Sequence, residues 1–73
     1  MAEHSVVLFH STVHAIRAEK VLTRAGIKIK MIPTPRQLSS DCGMALRLDR
    51  GGEEQVAAVL RENRVPLNGI HPI

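Results

Sequence analysis

Residues 5–33 read SVVLFHSTVHAIRAEKVLTRAGIKIKMIP, and two hydrophobic periods meet inside this stretch. Ser5 through His10 is a β-branched and aromatic run that is apolar on both parities, which suits a central strand better than an edge. It ends at Ser11-Thr12, and either hydroxyl can cap a following helix. In that helix Ala15, Ala18, Leu22 and Ala25, with Ile16 and Val21 beside them, form one apolar stripe at helical spacing. Gly26 then supplies the stop. Ile27, Ile29 and Met31 alternate with Lys28 and Lys30, which predicts a half-buried strand with lysines along one face, a device sheet edges use against aggregation. Pro33 closes it.

Outward from this unit, residues 34–43 (TPRQLSSDCG) are polar and punctuated. Thr34-Pro35 can cap one short helical turn, but no period is sustained long enough for a regular element. Met44, Leu46 and Leu48 alternate with Ala45, Arg47 and Asp49, the pattern of a third strand. Gly51-Gly52 break the chain before a second amphipathic helix whose buried stripe is Val56, Ala57, Val59 and Leu60. Asn63 suits a C-cap, Pro66 blocks continuation, and Leu67 to His71 form a short last strand at a sheet edge.

The order is therefore βαββαβ. It predicts a two-layer α+β sandwich of ferredoxin-like, split-βαβ type, an antiparallel sheet with two helices on one face. The right-handed crossover rule makes strands one and two parallel. Strand one then leaves the sheet at the end where the loop from Pro33 to Gly43 crosses back into strand three, so His10, Ser11, Thr12 and Cys42 are expected to be neighbours. The uncovered face carries either Val7 and Phe9 or Val6 and Leu8. An apolar patch exposed there would be closed by a partner or a second copy, which makes a homodimer an expectation.

Composition narrows the function classes. Seventy-three residues make one domain, residues 1–73, too small for a large internal substrate chamber, so function is expected on a surface. MAEHSVVLFHS at the start lacks the basic flank and the length of a signal segment or membrane span, and the expectation is a soluble, cytoplasmic protein. A single cysteine forms no internal disulfide, which points to a reducing compartment. Ten Lys and Arg against seven Asp and Glu give a net charge of +3. That excess can attract phosphates, acidic proteins or nucleic acid, or it can be no more than a solvated basic surface.

Cys42 is the candidate reactive atom. A thiol is nucleophilic as thiolate, and its pKa falls near a helix N-terminus or cations. The predicted topology offers the unpaired amides opening helix one near Thr12, Val13 and His14, together with His10, His14, Arg36 and Arg47. Gly43 removes the side chain next to the sulfur, and Ser39 and Ser40 can donate hydrogen bonds to an anion. Asp41 opposes thiolate formation. The competing reading is an inert cysteine acting as a small apolar filler. His10-x3-His14 with Cys42 could bind zinc, but no second Cys or carboxylate pair completes that pattern, and no metal is called for. Nucleic-acid binding by this fold needs aromatics on the open sheet face, and Phe9 is the chain's sole aromatic, so a nucleic-acid partner is not expected. A further alternative is a small anion- or partner-binding module, with an anion on the helix-one amides near Ser11, Thr12 and Arg36 and no thiol chemistry.

The string LFHSTVHAIRAEKVLTRAGIKIKMIPTPRQLSSDCGMALRL resembles the selenium/sulfur (Se/S) carrier protein-like family over almost the whole chain. The shared features are the Phe-His-Ser-Thr strand end at Phe9 to Thr12, Arg-Ala-Glu-Lys at Arg17 to Lys20, and Ile-Pro-Thr-Pro-Arg at Ile32 to Arg36. Ser-Ser-x-Cys-Gly at Ser39 to Gly43 and Ala-Leu-Arg at Ala45 to Arg47 complete the set. The resemblance implies a carrier that holds sulfur or selenium on Cys42 as a persulfide or selenopersulfide, with Thr34, Pro35, Arg36, Ser39, Ser40 and Gly43 as its loop. It also implies a donor protein of cysteine desulfurase type and an acceptor protein. No cofactor is implied, and the activity would be at most sulfurtransferase-like.

Overall fold

Among the described residues, the chain runs through β1 (His4–Leu8), α1 (Thr12–Arg24), β2 (Ile29–Pro33), β3 (Met44–Asp49), α2 (Glu53–Glu62) and β4 (Gly69–Pro72), with a single 3-10 turn at Arg50–Gly52 leading into α2. The fold was obtained as a computed structural model, which describes residues 3–38 and 43–73. The sheet order is β2-β3-β1-β4, and every neighbouring pair is antiparallel. Because β1 and β2 are each antiparallel to β3, they share a direction, as a right-handed βαβ crossover requires. This is the ferredoxin-like α+β sandwich that the element order predicts.

β1 occupies an interior position and is buried on both faces. Val7 and Phe9 join Ala15, Ala18, Leu22, Leu46, Leu48, Val56, Leu60 and Val65 in the core between sheet and helices. On the reverse face Val6, Leu8 and Ala45 form a second cluster, with Ile32 and Leu38 packed against it. Burying one Val, Leu or Phe side chain is worth about 1.5–3 kcal/mol, so a strand loaded on both sides holds the two layers and the reverse face together. The open-face assignment is thereby decided for Val6 and Leu8, but the exposed apolar patch expected there is not found. Val6 is 0% exposed and Leu8 2%, because the chain's own Ile32 and Leu38 lie against them. The apolar argument for a second copy on this face therefore falls away.

One polar side chain sits inside the main layer boundary. Ser5 is fully buried and donates its hydroxyl proton to Glu53 Oε2 at 2.7 Å. Glu53 and Glu54 occupy the first turn of α2, whose N-cap Gly52 offers no side-chain cap. Their carboxylates complement the positive helix end, and Ser5 ties one of them to the central strand.

The helix seam departs from the predicted stripe at two positions. Ala15, Ala18 and Leu22 are buried, but Ile16 is 43% exposed, since each residue turns about 100° and carries Ile16 out of the seam. Ala25 is exposed because it is the C-cap, where the chain already turns away. Gly26 then takes φ +79°. Its N–H donates to the Thr23 carbonyl at 3.0 Å and that of Ile27 to the Leu22 carbonyl at 3.0 Å, a Schellman ending. That bond draws Ile27 into the helix terminus, which is why β2 begins at Ile29 and not at Ile27. Pro33 lies within β2, tolerated because β2 is an edge strand. The last strand is shifted two residues towards the C-terminus of the predicted start, to Gly69.

α2 ends with the same hydrogen-bond pattern on a less suitable residue. Asn63 is the C-cap, as its sequence position predicts. Arg64 follows at φ +56°, with its N–H bonded to the Arg61 carbonyl at 3.1 Å and that of Val65 to the Leu60 carbonyl at 2.9 Å. A side chain in this left-handed region costs about 1 kcal/mol relative to glycine. Arg64→Gly is therefore expected to raise stability by up to about 1 kcal/mol, or roughly 4–8 °C in Tm for a chain of this size. Thermal melts of Arg64→Gly and Arg64→Ala check this: a gain confined to the glycine variant supports the strain, and equal melting temperatures would refute it.

Candidate functional site

The strand directions gather one set of chain segments at one end of the sheet. Leu8 pairs with Ala45 and with Gly69, while Ile32 pairs with Ala45 and Pro33 with Met44. β1 and β2 leave at this end, and β3 and β4 enter from it. The start of α1, the segment from Thr34 to Leu38, Gly43, and the stretch between α2 and β4 therefore stand together. Asn68 N–H donates to the Leu8 carbonyl at 2.6 Å, fixing the last of these to β1.

The predicted site residues fall at this end as follows. Ser11 is the N-cap of α1, in extended conformation with φ −153° and ψ 160°. Its hydroxyl accepts from His14 N–H at 3.4 Å and lies 3.1 Å from His14 Nδ1. No acidic residue stands in the first turn of α1, so the positive end of that helix is not offset by a carboxylate of its own. His10 and Thr12 are exposed and His14 is half-buried. Across the sheet, Thr34 N–H donates to the Gly43 carbonyl at 3.0 Å, and Leu38 N–H donates to the Pro35 carbonyl at 3.0 Å. The first bond clasps the two ends of the loop, and the second closes the single turn that Thr34-Pro35 suggested. Arg36 is exposed within that turn, and Leu38 is half-buried against Val6, Leu8 and Ala45.

Ser39, Ser40, Asp41 and Cys42 lie outside the described residues, and the expected approach of Cys42 to His10, Ser11 and Thr12 lies outside them as well. Thr34 and Gly43, the described ends of the loop, stand at the end of the sheet where α1 begins. At Gly43 a Cβ would meet no atom of the described residues outside its chain neighbours within 4 Å, and the backbone is not in the left-handed region. Arg47, counted among possible supports for the thiol, stands elsewhere: it pairs with Val6 and Lys30 and lines a groove with His4, Lys28 and Asp49 towards the opposite end. Among the described residues no group of three His, Cys, Asp or Glu side chains is placed to hold a metal ion. Nor is any helix there long and apolar enough to cross a membrane.

Sequence reasoning missed a row of basic residues on the reverse face. Lys30 is opposite Arg47, Arg47 opposite Val6, and Val6 opposite His71, so three basic residues share one line across the sheet. Lys30 and Arg47 each read as the polar parity of their own strand. Their register across the long 34–43 connection was the missing information.

The fold is a small α+β sandwich, and the chain's lone cysteine falls on the connection between edge strand β2 and interior strand β3. The chain belongs to the family described as "Putative Se/S carrier protein-like", whose model matches residues 4–72. It is also similar to "Uncharacterized protein YtiA" of Escherichia coli (strain K12), 36% identical over 53 residues, which is 73% of this chain and 62% of that protein. The chain thus spans less than two thirds of the length of that relative. No solved structure gives a significant match.

The cap on α1 yields a direct test of how the site is held. Ser11→Ala removes the oxygen that receives His14 N–H and should cost about 1 kcal/mol, with faster hydrogen exchange in the first turn of α1. Unchanged exchange at Val13 and His14 would show that Ser11 does not hold this helix end.

Proposed function

We propose that the protein carries sulfur or selenium on Cys42 and passes it between partner proteins. The observation that carries this reading is membership of the Se/S carrier protein-like family over residues 4–72 in a chain whose sole cysteine is Cys42. Three features support it. The N-terminus of α1, which has no acidic residue in its first turn, stands at the end of the sheet where the cysteine loop is clasped, and a helix end of this kind favours thiolate. Among the described residues outside its chain neighbours nothing crowds Gly43, which suits close approach of another protein's sulfur. Arg36 is exposed in the same loop and supplies positive charge.

In the transfer, the Cys42 thiolate attacks the outer sulfur of a donor persulfide. A bond forms between Sγ and that sulfur, the donor's S–S bond breaks, and the donor departs as a thiolate. An acceptor thiolate then attacks the outer sulfur now on Cys42, and Cys42 leaves as thiolate. The two displacements conserve electrons, so no oxidant or cofactor enters. The selenium case replaces the outer sulfur by selenium with the same bookkeeping. The chain supplies position and charge in this scheme, and the donor is a protein of cysteine desulfurase type.

Alkylation of Cys42 as a function of pH, followed by incubation with a persulfide donor and intact-mass analysis, tests the reading. A thiol that titrates below the ordinary value of free cysteine is expected. So is a gain of one sulfur atom that Cys42→Ala cannot acquire. Arg36→Gln should move the titration upward, since a cation in the same loop favours the thiolate. A slow thiol that takes up no sulfur would overturn the carrier reading in favour of an anion- or partner-binding module without thiol chemistry.

A further inference from the structure

The reverse face of the sheet holds two cations where sheet energetics disfavours them. Lys30 of β2 and Arg47 of β3 are direct cross-strand partners on the side that no helix covers. Like charges directly opposite one another are destabilising. Among the described residues neither has an ion-pair partner, and His4 Nε2 lies 3.9 Å from Asp49 Oδ1. An edge lysine guards a sheet against aggregation, which would account for Lys28 and Lys30. It does not account for Arg47, which belongs to an interior strand. Between these residues runs a groove of about 170 Å³ lined by His4, Lys28, Lys30, Arg47 and Asp49, and His71 extends the basic row beyond Val6.

We propose that this groove is a docking site for an acidic, extended segment of a partner protein. The charge of the groove selects carboxylates, and Asp49 at its rim is the single acidic side chain among those named. β2 is an edge strand, so an extended segment can lie along it and present alternate side chains to the cationic face. Single-stranded nucleic acid is disfavoured by the absence of a stacking platform. Phe9, the one aromatic residue of the chain, is buried in the cluster on the helix side. A second copy of the chain would bring the same cations against themselves. The groove is lined by residues from His4, Lys28 to Lys30 and Arg47 to Asp49, none of them in the cysteine loop, and the thiol plays no part in it.

A fluorescently labelled peptide of alternating Glu and Thr, about a dozen residues long, is the probe. The full chain should bind it saturably, and more weakly as salt rises. The pair Lys30→Gln with Arg47→Gln, which keeps long side chains over Val6, should weaken binding about tenfold or more. Arg61→Gln with Arg64→Gln, on a separate groove beside α2, should leave it unchanged. Circular dichroism verifies folding, and the exposed Lys30→Gln alone carries the test if the pair does not fold. Cys42→Ser should bind the peptide as tightly as the unaltered chain, which separates this result from that of the sulfur-transfer experiment. Absence of saturable binding, equal loss with the Arg61 and Arg64 variants, or tighter binding of a single-stranded oligonucleotide of the same length would each overturn the proposal.

Discussion

Everything in this fold depends on a central strand with no polar face. Val6, Val7, Leu8 and Phe9 are each at most 2% exposed, and alternate ones are claimed by opposite sides of the sheet. An interior strand of that kind must be flanked on both edges and covered on both surfaces. Two helices cover one side. On the other side the chain must supply its own cover, and Leu38 and Ile32 do so. The segment from Thr34 to Leu38 therefore helps to cover the core, because its Leu38 packs against Val6, Leu8 and Ala45.

The loop end of the sheet has a helix N-terminus without a first-turn carboxylate and exposed Arg36, while Lys30 and Arg47, in line with His71, lie further along the reverse face. A net charge of +3 is thus not spread evenly. The acidic Glu53 and Glu54 stand at the start of α2, at the far end of the sheet, with Glu53 held by Ser5. A negatively charged partner would meet Lys30 and Arg47 on the reverse face with less repulsion than the start of α2.

Much of this was legible in the residues. The order βαββαβ followed from Val6 to Phe9 being apolar on both parities, from the helical spacing of Ala15, Ala18 and Leu22, and from the clean alternation at Ile29 to Met31 and Met44 to Asp49. The family was legible in motifs at fixed positions. Less legible were features that depend on how elements meet. Ile16 looked like part of the seam because one-dimensional spacing cannot locate the centre of a stripe. The burial of Val6 and Leu8 needed Leu38 to fold back, which no local pattern around Leu38 announces. The opposition of Lys30 and Arg47 is a property of register, and register across a long connection is set by which side chains both faces accept.

The bond between Thr34 N–H and the Gly43 carbonyl has a consequence for how such a domain can diversify. It fixes the exits of β2 and the entry of β3 to each other before the loop begins, so the entropy of closing the intervening segment is borne against an anchored base and grows only slowly with its length. Below the clasp the hairpin is committed to the sheet; above it, chain can be lengthened, shortened or rewritten at small thermodynamic cost, provided that one apolar side chain still reaches down to Leu8. The scaffold therefore behaves as a mount for an interchangeable tip, on which the reach and chemistry of the cysteine segment can vary while the sandwich beneath it stays the same.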